Sequence, residues 1–155
     1  MEFETKTKIA SGIVALASIS VGGLIYLTYR PLTLLMFEVI DACHMMWVVD
    51  LLRDSPPQIP DWVEYSLPGG LWVFTYIVYM GIDNHFHFTK RCRMMLPVLP
   101  AIGIGSELMQ CRGIMPGTFD MNDVIAYALG TAFGLLYIKI VELTITNKTI
   151  SVWKQ

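Results

Sequence analysis

From Ile9 to Tyr29 the chain runs for about a bilayer's hydrocarbon thickness without one charged side chain. So long an apolar run has few folds open to it. In lipid only a helix satisfies its own backbone hydrogen bonds, a closed barrel apart. Leu71 to Ile82 and Val124 to Ile138 are nearly as apolar. The 155-residue chain is 54% hydrophobic and only 15% charged, with mean hydropathy +0.53. Soluble chains carry roughly 25% charged residues, so this composition favours lipid as solvent.

Lys6 and Lys8 precede the first run, and Ala15-Leu16-Ala17 resembles a signal-peptidase site. The apolar stretch before that site is too short for a signal and continues to Leu27, so it reads as a retained first span. Arg30-Pro31 ends it. Leu32 to Leu52 is long enough to cross yet carries Glu38, Asp41, His44 and Asp50. Glu38, Asp41 and His44 recur every third residue, which puts them along one side of a helix. The segment reads either as an interfacial helix or as a buried one turning that stripe inward. Pro56, Pro57 and Pro60 make a non-helical connector. Spans then follow over Leu67 to Ile82, over Met94 to Gln110 (kinked by Pro97 and Pro100) and over Asp123 to Val141. The fold class is all-α: one domain, a polytopic membrane bundle of four transmembrane helices plus an amphipathic or re-entrant helix at about 32–52.

Charge asymmetry orients it. With four spans, Lys6, Lys8, Lys90, Arg91, Arg93, Lys139, Lys148 and Lys154 share one side, against Arg30, Arg53 and Arg112. The basic-rich side is cytoplasmic, so both termini lie there and residues 31–66 and 107–123 face outward. A fifth span at 32–52 would weaken this bias. Trp47, Trp62, Trp72 and Trp153 flank the apolar runs as interfacial anchors, and His85 and His87 fall in a solvated loop. A net charge of −2 speaks against nucleic acid as a partner. Cys43, Cys92 and Cys111 form no CxxC pair, so they read as free thiols rather than a zinc knuckle or disulfide framework. The pattern specifies no cofactor and no metal.

The polar residues that remain are concentrated near 107–123. Glu107 and Gln110 share a face at the end of the third span, and Asp120 and Asp123 share one at the start of the fourth. A short loop joins them, bringing in Arg112 and Asn122. Such a cluster suits a cation, a polar head group, or acid–base chemistry if desolvation raises one carboxyl pKa. Glu107 and Asp123 are the candidate catalytic carboxylates. Gln110, Arg112, Asp120, Asn122 and Tyr127 are candidate binding residues, with Glu38, Asp41 and His44 as a second group. The structural alternative is that Asp120 and Asp123 merely cap the last helix. Ala126, Gly130 and Gly134 form a small-residue stripe, which suits packing against another helix of this chain or docking to a membrane partner.

Ser106-Glu107-Leu108-Met109-Gln110, followed by Gly113 to Gly130, resembles the signature of VanZ-like membrane proteins. That family pairs E-x-x-Q at the end of one span with an arginine, then D-x-x-D entering the last span and a small residue about seven further on. These fall on Glu107, Gln110, Arg112, Asp120, Asp123 and Gly130. The chain departs from the pattern at Tyr127, where the family commonly has Asn, and at Arg112, which comes early in the loop. Pro60-Asp61 is also similar, without the histidine that often follows. The resemblance implies a bacterial inner-membrane protein linked to glycopeptide antibiotic resistance. The expected function is to bind or modify an envelope component, such as a lipid-linked head group, at an outward-facing polar site. Two alternatives stand beside it: a non-catalytic subunit docking through the Ala126/Gly130/Gly134 stripe, and a small transporter with Asp41, His44 and Glu107 lining one cavity.

Overall fold

The computed structural model describes residues 2–153, and of residues 2 and 149–153 the backbone alone. Lys154 and the side chain of Trp153 therefore lie outside the described residues. The helices in chain order are α1 (Glu2–Tyr29), α2 (Leu35–Ala42), α3 (Met46–Arg53), α4 (Asp61–Tyr65), α5 (Leu67–Asp83), α6 (Lys90–Met95), α7 (Val98–Cys111) and α8 (Met121–Trp153). Among the described residues there is no strand. The segments Phe3–Tyr29, Lys90–Cys111 and Met121–Lys148 are long and apolar enough to cross a membrane. α5, at 17 residues, is about 25 Å long.

α5 is central: α1 and α8 pack along it, α7 lies on α8, and α3 and α4 lie against α1. At one end Tyr29 Oη donates to Pro57 O at 2.6 Å, and Arg30 Nη2 donates to Tyr65 O at 2.7 Å. At the other, His85 Nδ1 lies 2.6 Å from Glu4 Oε1 and 2.8 Å from Lys8 Nζ. There, too, His87 Nδ1 lies 3.6 Å from Glu142 Oε1. The two histidines, expected in a solvated loop, are exposed yet tie that loop to the start of α1 and to α8. α1, α5, the α6–α7 pair and α8 therefore run alternately between these two ends, hereafter the cleft end and the basal end.

Apolar side chains face outward. Ile13, Leu16 and Leu24 on α1, and Leu129, Phe133, Leu136 and Ile140 on α8, are exposed. Ser11 is fully buried and accepts a hydrogen bond from Tyr137 Oη at 3.0 Å. An apolar surface around a polar interhelical bond suits a hydrocarbon surrounding. The buried cluster of Val73, Ile77, Phe86, Cys92, Leu96 and Ile138 fills the basal half. The cleft half is less completely packed and holds the cavities.

The small-residue stripe of α8 faces α5. A Cβ at Gly130 would collide with the carbonyl of Gly70, and one at Gly134 would stand 2.8 Å from Ile77 Cβ. Ala126 O lies 2.8 Å from where a Gly70 Cβ would be. The stripe is thus used within the chain, where it lets two backbones approach.

Leu32 to Leu52 is not one helix. α2 ends in a Schellman motif, with His44 at φ 55° donating to Asp41 O at 2.8 Å and Met45 N to Ile40 O at 3.0 Å. α3 then starts afresh, so the expected single amphipathic helix is a pair. α5 ends the same way around His85 (φ 55°), and α7 around Gly113 (φ 67°). Only the last uses the glycine that normally marks such an end. The expected break in the third span lies between α6 and α7, at Leu96-Pro97.

Candidate functional site

The cleft-end loop between α7 and α8 is organised around one carboxylate. Asp120 caps α8, its Oδ1 accepting the N–H of Asn122 at 2.8 Å. In a capping box the residue three further on, Asp123, would reach back to the Asp120 N–H. Here Glu107 does so from the neighbouring helix: its Oε2 accepts that N–H at 3.1 Å, and the residue is only 4% exposed. Glu107 therefore sits at the positive end of α8 as a staple between the two helices. Gln110 packs against Gly117, whose φ of +128° and lack of a Cβ make room for the amide.

Freed from capping, Asp123 turns inward. It lines a cleft of about 280 Å³ whose wall also includes Arg30, Tyr65, Gly103, Ser106 and Tyr127. Asp123 Oδ1 is buried there with no hydrogen-bond partner among the described residues, and so is Arg30 Nε. Each orphaned polar atom costs about 1–3 kcal/mol, more for a charged group, unless a ligand or water completes it.

Four side chains form a column along the wall. Trp72 stacks on Tyr26 with centroids 5.6 Å apart. The Arg30 guanidinium lies 5.4 Å from the Tyr26 ring centroid and 5.0 Å from that of Tyr65. A hydrogen bond with Glu64, and then the Glu64 charge, raise the Tyr65 phenol above its ordinary pKa, with Arg30 opposing. Behind Arg30, Arg53 Nε donates to Leu27 O at 2.8 Å and its Nη2 donates to Arg30 O. Arg53 thus satisfies the open carbonyls at the end of α1 and holds the chain where Arg30 enters the cleft. Tyr127 is wedged between α5 and α7: a Cβ at Gly69 would stand 2.8 Å from its Cε1, and one at Gly103 would stand 3.0 Å from its Cδ2.

Of the residues singled out in the sequence, the fold gathers Glu107, Gln110, Asp120, Asn122, Asp123 and Tyr127 around the α7–α8 junction. Arg112 caps the end of α7 and is exposed. Glu38 and Asp41 on α2, and His44 beyond it, are exposed and stand apart from the cleft. Asp41, His44 and Glu107 line neither this cleft nor the larger groove between α1, α5 and α8. Among the described residues no group of three or more His, Cys, Asp or Glu side chains is arranged to hold a metal. Cys43 and Cys111 are exposed free thiols and Cys92 a buried one.

Arg30, Arg53, Tyr26 and Tyr65 were not among the sequence-selected residues. Their only signal was an arginine at the end of a span flanked by tyrosines, a pattern equally suited to an interfacial anchor. Comparison of the chain with protein-family models, with curated proteins and with solved structures gives no match.

Proposed function

We propose that this chain is a four-span membrane protein whose cleft binds the polar head of a membrane-resident amphiphile. One observation carries the reading: Arg30 Nε and Asp123 Oδ1, from side chains of opposite charge, are both buried at the same cleft without a hydrogen-bond partner among the described residues. A ligand that completes both needs an anionic oxygen for the guanidinium and a hydroxyl or ammonium donor for the carboxylate. Phosphate-containing head groups with an alcohol, amine or sugar supply both. The Trp72–Tyr26–Tyr65 wall fits an interfacial depth, where amphipathic rings prefer to lie.

In this reading α5 is the fourth crossing, its length within the range of a transmembrane helix. The basal end, with Lys6, Lys8, Lys90, Arg91, Arg93, Lys139 and Lys148, is cytoplasmic. The cleft then opens on the outer side of a bacterial inner membrane. The VanZ-like resemblance is consistent with this reading, because its motif residues surround the junction that releases Asp123 into the cleft. A lipid-linked envelope intermediate is the corresponding substrate class, held for binding or modification.

The test is thermal unfolding of the purified chain in detergent, titrated with dioctanoyl phospholipids. Phosphatidylglycerol and phosphatidylethanolamine should raise Tm more than phosphatidylcholine, whose head has the phosphate but no N–H or O–H donor. Arg30→Gln should remove the response to all three, and Asp123→Ala should make the three alike. Equal shifts from the three lipids in the unaltered protein would overturn the reading.

A further inference from the structure

A second cavity lies on the other side of α5 and differs in kind. It is a groove of about 470 Å³ between α1, α5 and α8, lined almost entirely by apolar surface. Trp62, Ser66 and Asn122 stand at its cleft-end mouth, and Phe74 and Phe133 at its deep end. From Asn122 to Phe133 the axial rise is about 16 Å, close to half of the roughly 30 Å hydrocarbon core. On α1, Ser18 reaches a similar depth, 11 residues from Tyr29. The groove thus begins near the helix ends and stops near the bilayer midplane.

The mouth carries an unsatisfied donor. Ser66 is 3% exposed and its hydroxyl has no hydrogen-bond partner among the described residues. It occupies the N-cap position of α5, but its backbone is helical (φ −104°, ψ −37°) and its side chain does not cap. Elsewhere in the helices Thr7, Ser18, Thr28, Thr131, Thr144 and Thr146 each fold their hydroxyls back onto the carbonyl four residues earlier. Ser66 makes no such bond and lines the groove instead.

We infer that the groove holds one acyl chain of a phospholipid from the cleft-side leaflet, with the Ser66 hydroxyl donating to its ester carbonyl. A single chain descending from the interface matches the groove in depth, in apolar lining and in the buried Ser66 hydroxyl at its mouth. A partner helix would continue past the midplane, whereas the groove ends at Phe74 and Phe133. The inference rests on the chain lying in a membrane, but not on the head-group cleft, which occupies the opposite side of α5.

Native mass spectrometry of the full chain, reconstituted in palmitoyl-oleoyl-phosphatidylglycerol and released from detergent, tests this directly. One lipid per chain should survive collisional activation that strips the rest. Leu129→Trp, which fills the groove from an exposed position, should abolish retention. Leu136→Trp, equally exposed on α8 but outside the groove, should preserve it. Ser66→Ala should weaken retention by about fivefold, the equivalent of one ordinary hydrogen bond. Arg30→Gln should leave retention intact while losing the head-group response, so failure of either site is read separately. No retained lipid, equal loss in both tryptophan variants, or recovery of a lipid-free dimer through this face would each overturn the inference.

Discussion

Glu107 on α7 takes the backbone N–H of Asp120 at 3.1 Å, the bond that Asp123 would make in an ordinary capping box. This substitution across two helices links fold to site. Because a neighbouring helix supplies the reciprocal cap, the N3 carboxylate of α8 is released to line the cleft, where its Oδ1 is buried without a hydrogen-bond partner among the described residues. The D-x-x-D pattern is thus divided between its two aspartates, Asp120 capping the helix and Asp123 lining the cleft.

Loss of the Glu107 carboxylate should destabilise the α7–α8 junction. Glu107→Ala leaves the Asp120 N–H buried and unpaired, at about 1–3 kcal/mol. Glu107→Gln keeps an acceptor oxygen and should cost less. Thermal unfolding in detergent would order the three proteins.

Asp123→Ala should behave in the opposite sense. It removes the favourable placement of an acid in the first helical turn, worth about 0.3–1 kcal/mol. It also removes the buried Oδ1, an oxygen without a partner among the described residues that costs about 1–3 kcal/mol. The larger effect wins, so the apo protein should unfold at an equal or higher temperature while head-group discrimination disappears. A clear loss of stability without ligand would show that Asp123 is structurally paired.

Gly130 should tolerate nothing larger. Gly130→Ala puts a Cβ into the Gly70 carbonyl and should cost about 1–3 kcal/mol through forced separation of α5 and α8. Gly12→Ala and Gly105→Ala meet nothing within 4 Å. These two should be neutral or gain up to about 1 kcal/mol from helix propensity. Comparative unfolding of the three variants checks the contrast.

Orientation is best read from exposed thiols. Cys43 and Cys111 are exposed toward the cleft end, whereas Cys92 is fully buried, so its protection from reagent reports packing rather than sidedness. Arg91→Cys supplies an exposed reporter at the basal end. In spheroplasts an impermeant maleimide should label Cys43 and Cys111 at once, and Arg91→Cys only after permeabilisation. Labelling of both ends in sealed cells would contradict opposite placement.

The helical content and the approximate limits of the long helices were legible because apolar length and proline position act locally. Leu67 to Ile82 is observed as Leu67–Asp83, and the break at Pro97 lies where a missing N–H requires it. Asp120 as a cap was legible for the same reason. The break inside 32–52 was not. His44 takes the left-handed position that glycine usually holds, so no glycine or proline announces the end of α2. His85 does likewise after α5, while Gly113 gave the usual sign after α7.

By itself, then, the sequence determined that this chain forms apolar helices suited to lipid, where several of them end at proline and capping residues, and that Glu107, Asp120 and Asp123 gather near one junction. Hydropathy and backbone hydrogen bonding are short-range and need no partner to be read. Tertiary structure alone decided which polar groups go unsatisfied. Glu107, a candidate from the sequence, is joined to the start of α8 through the Asp120 N–H. Arg30 was expected as a flank and lines Asp123's cleft, and the hydroxyl of Ser66, which drew no notice, has no hydrogen-bond partner among the described residues. A side chain's hydrogen-bond state depends on residues from helices far apart in the chain, and only their packing fixes which atoms are sealed from water without a partner.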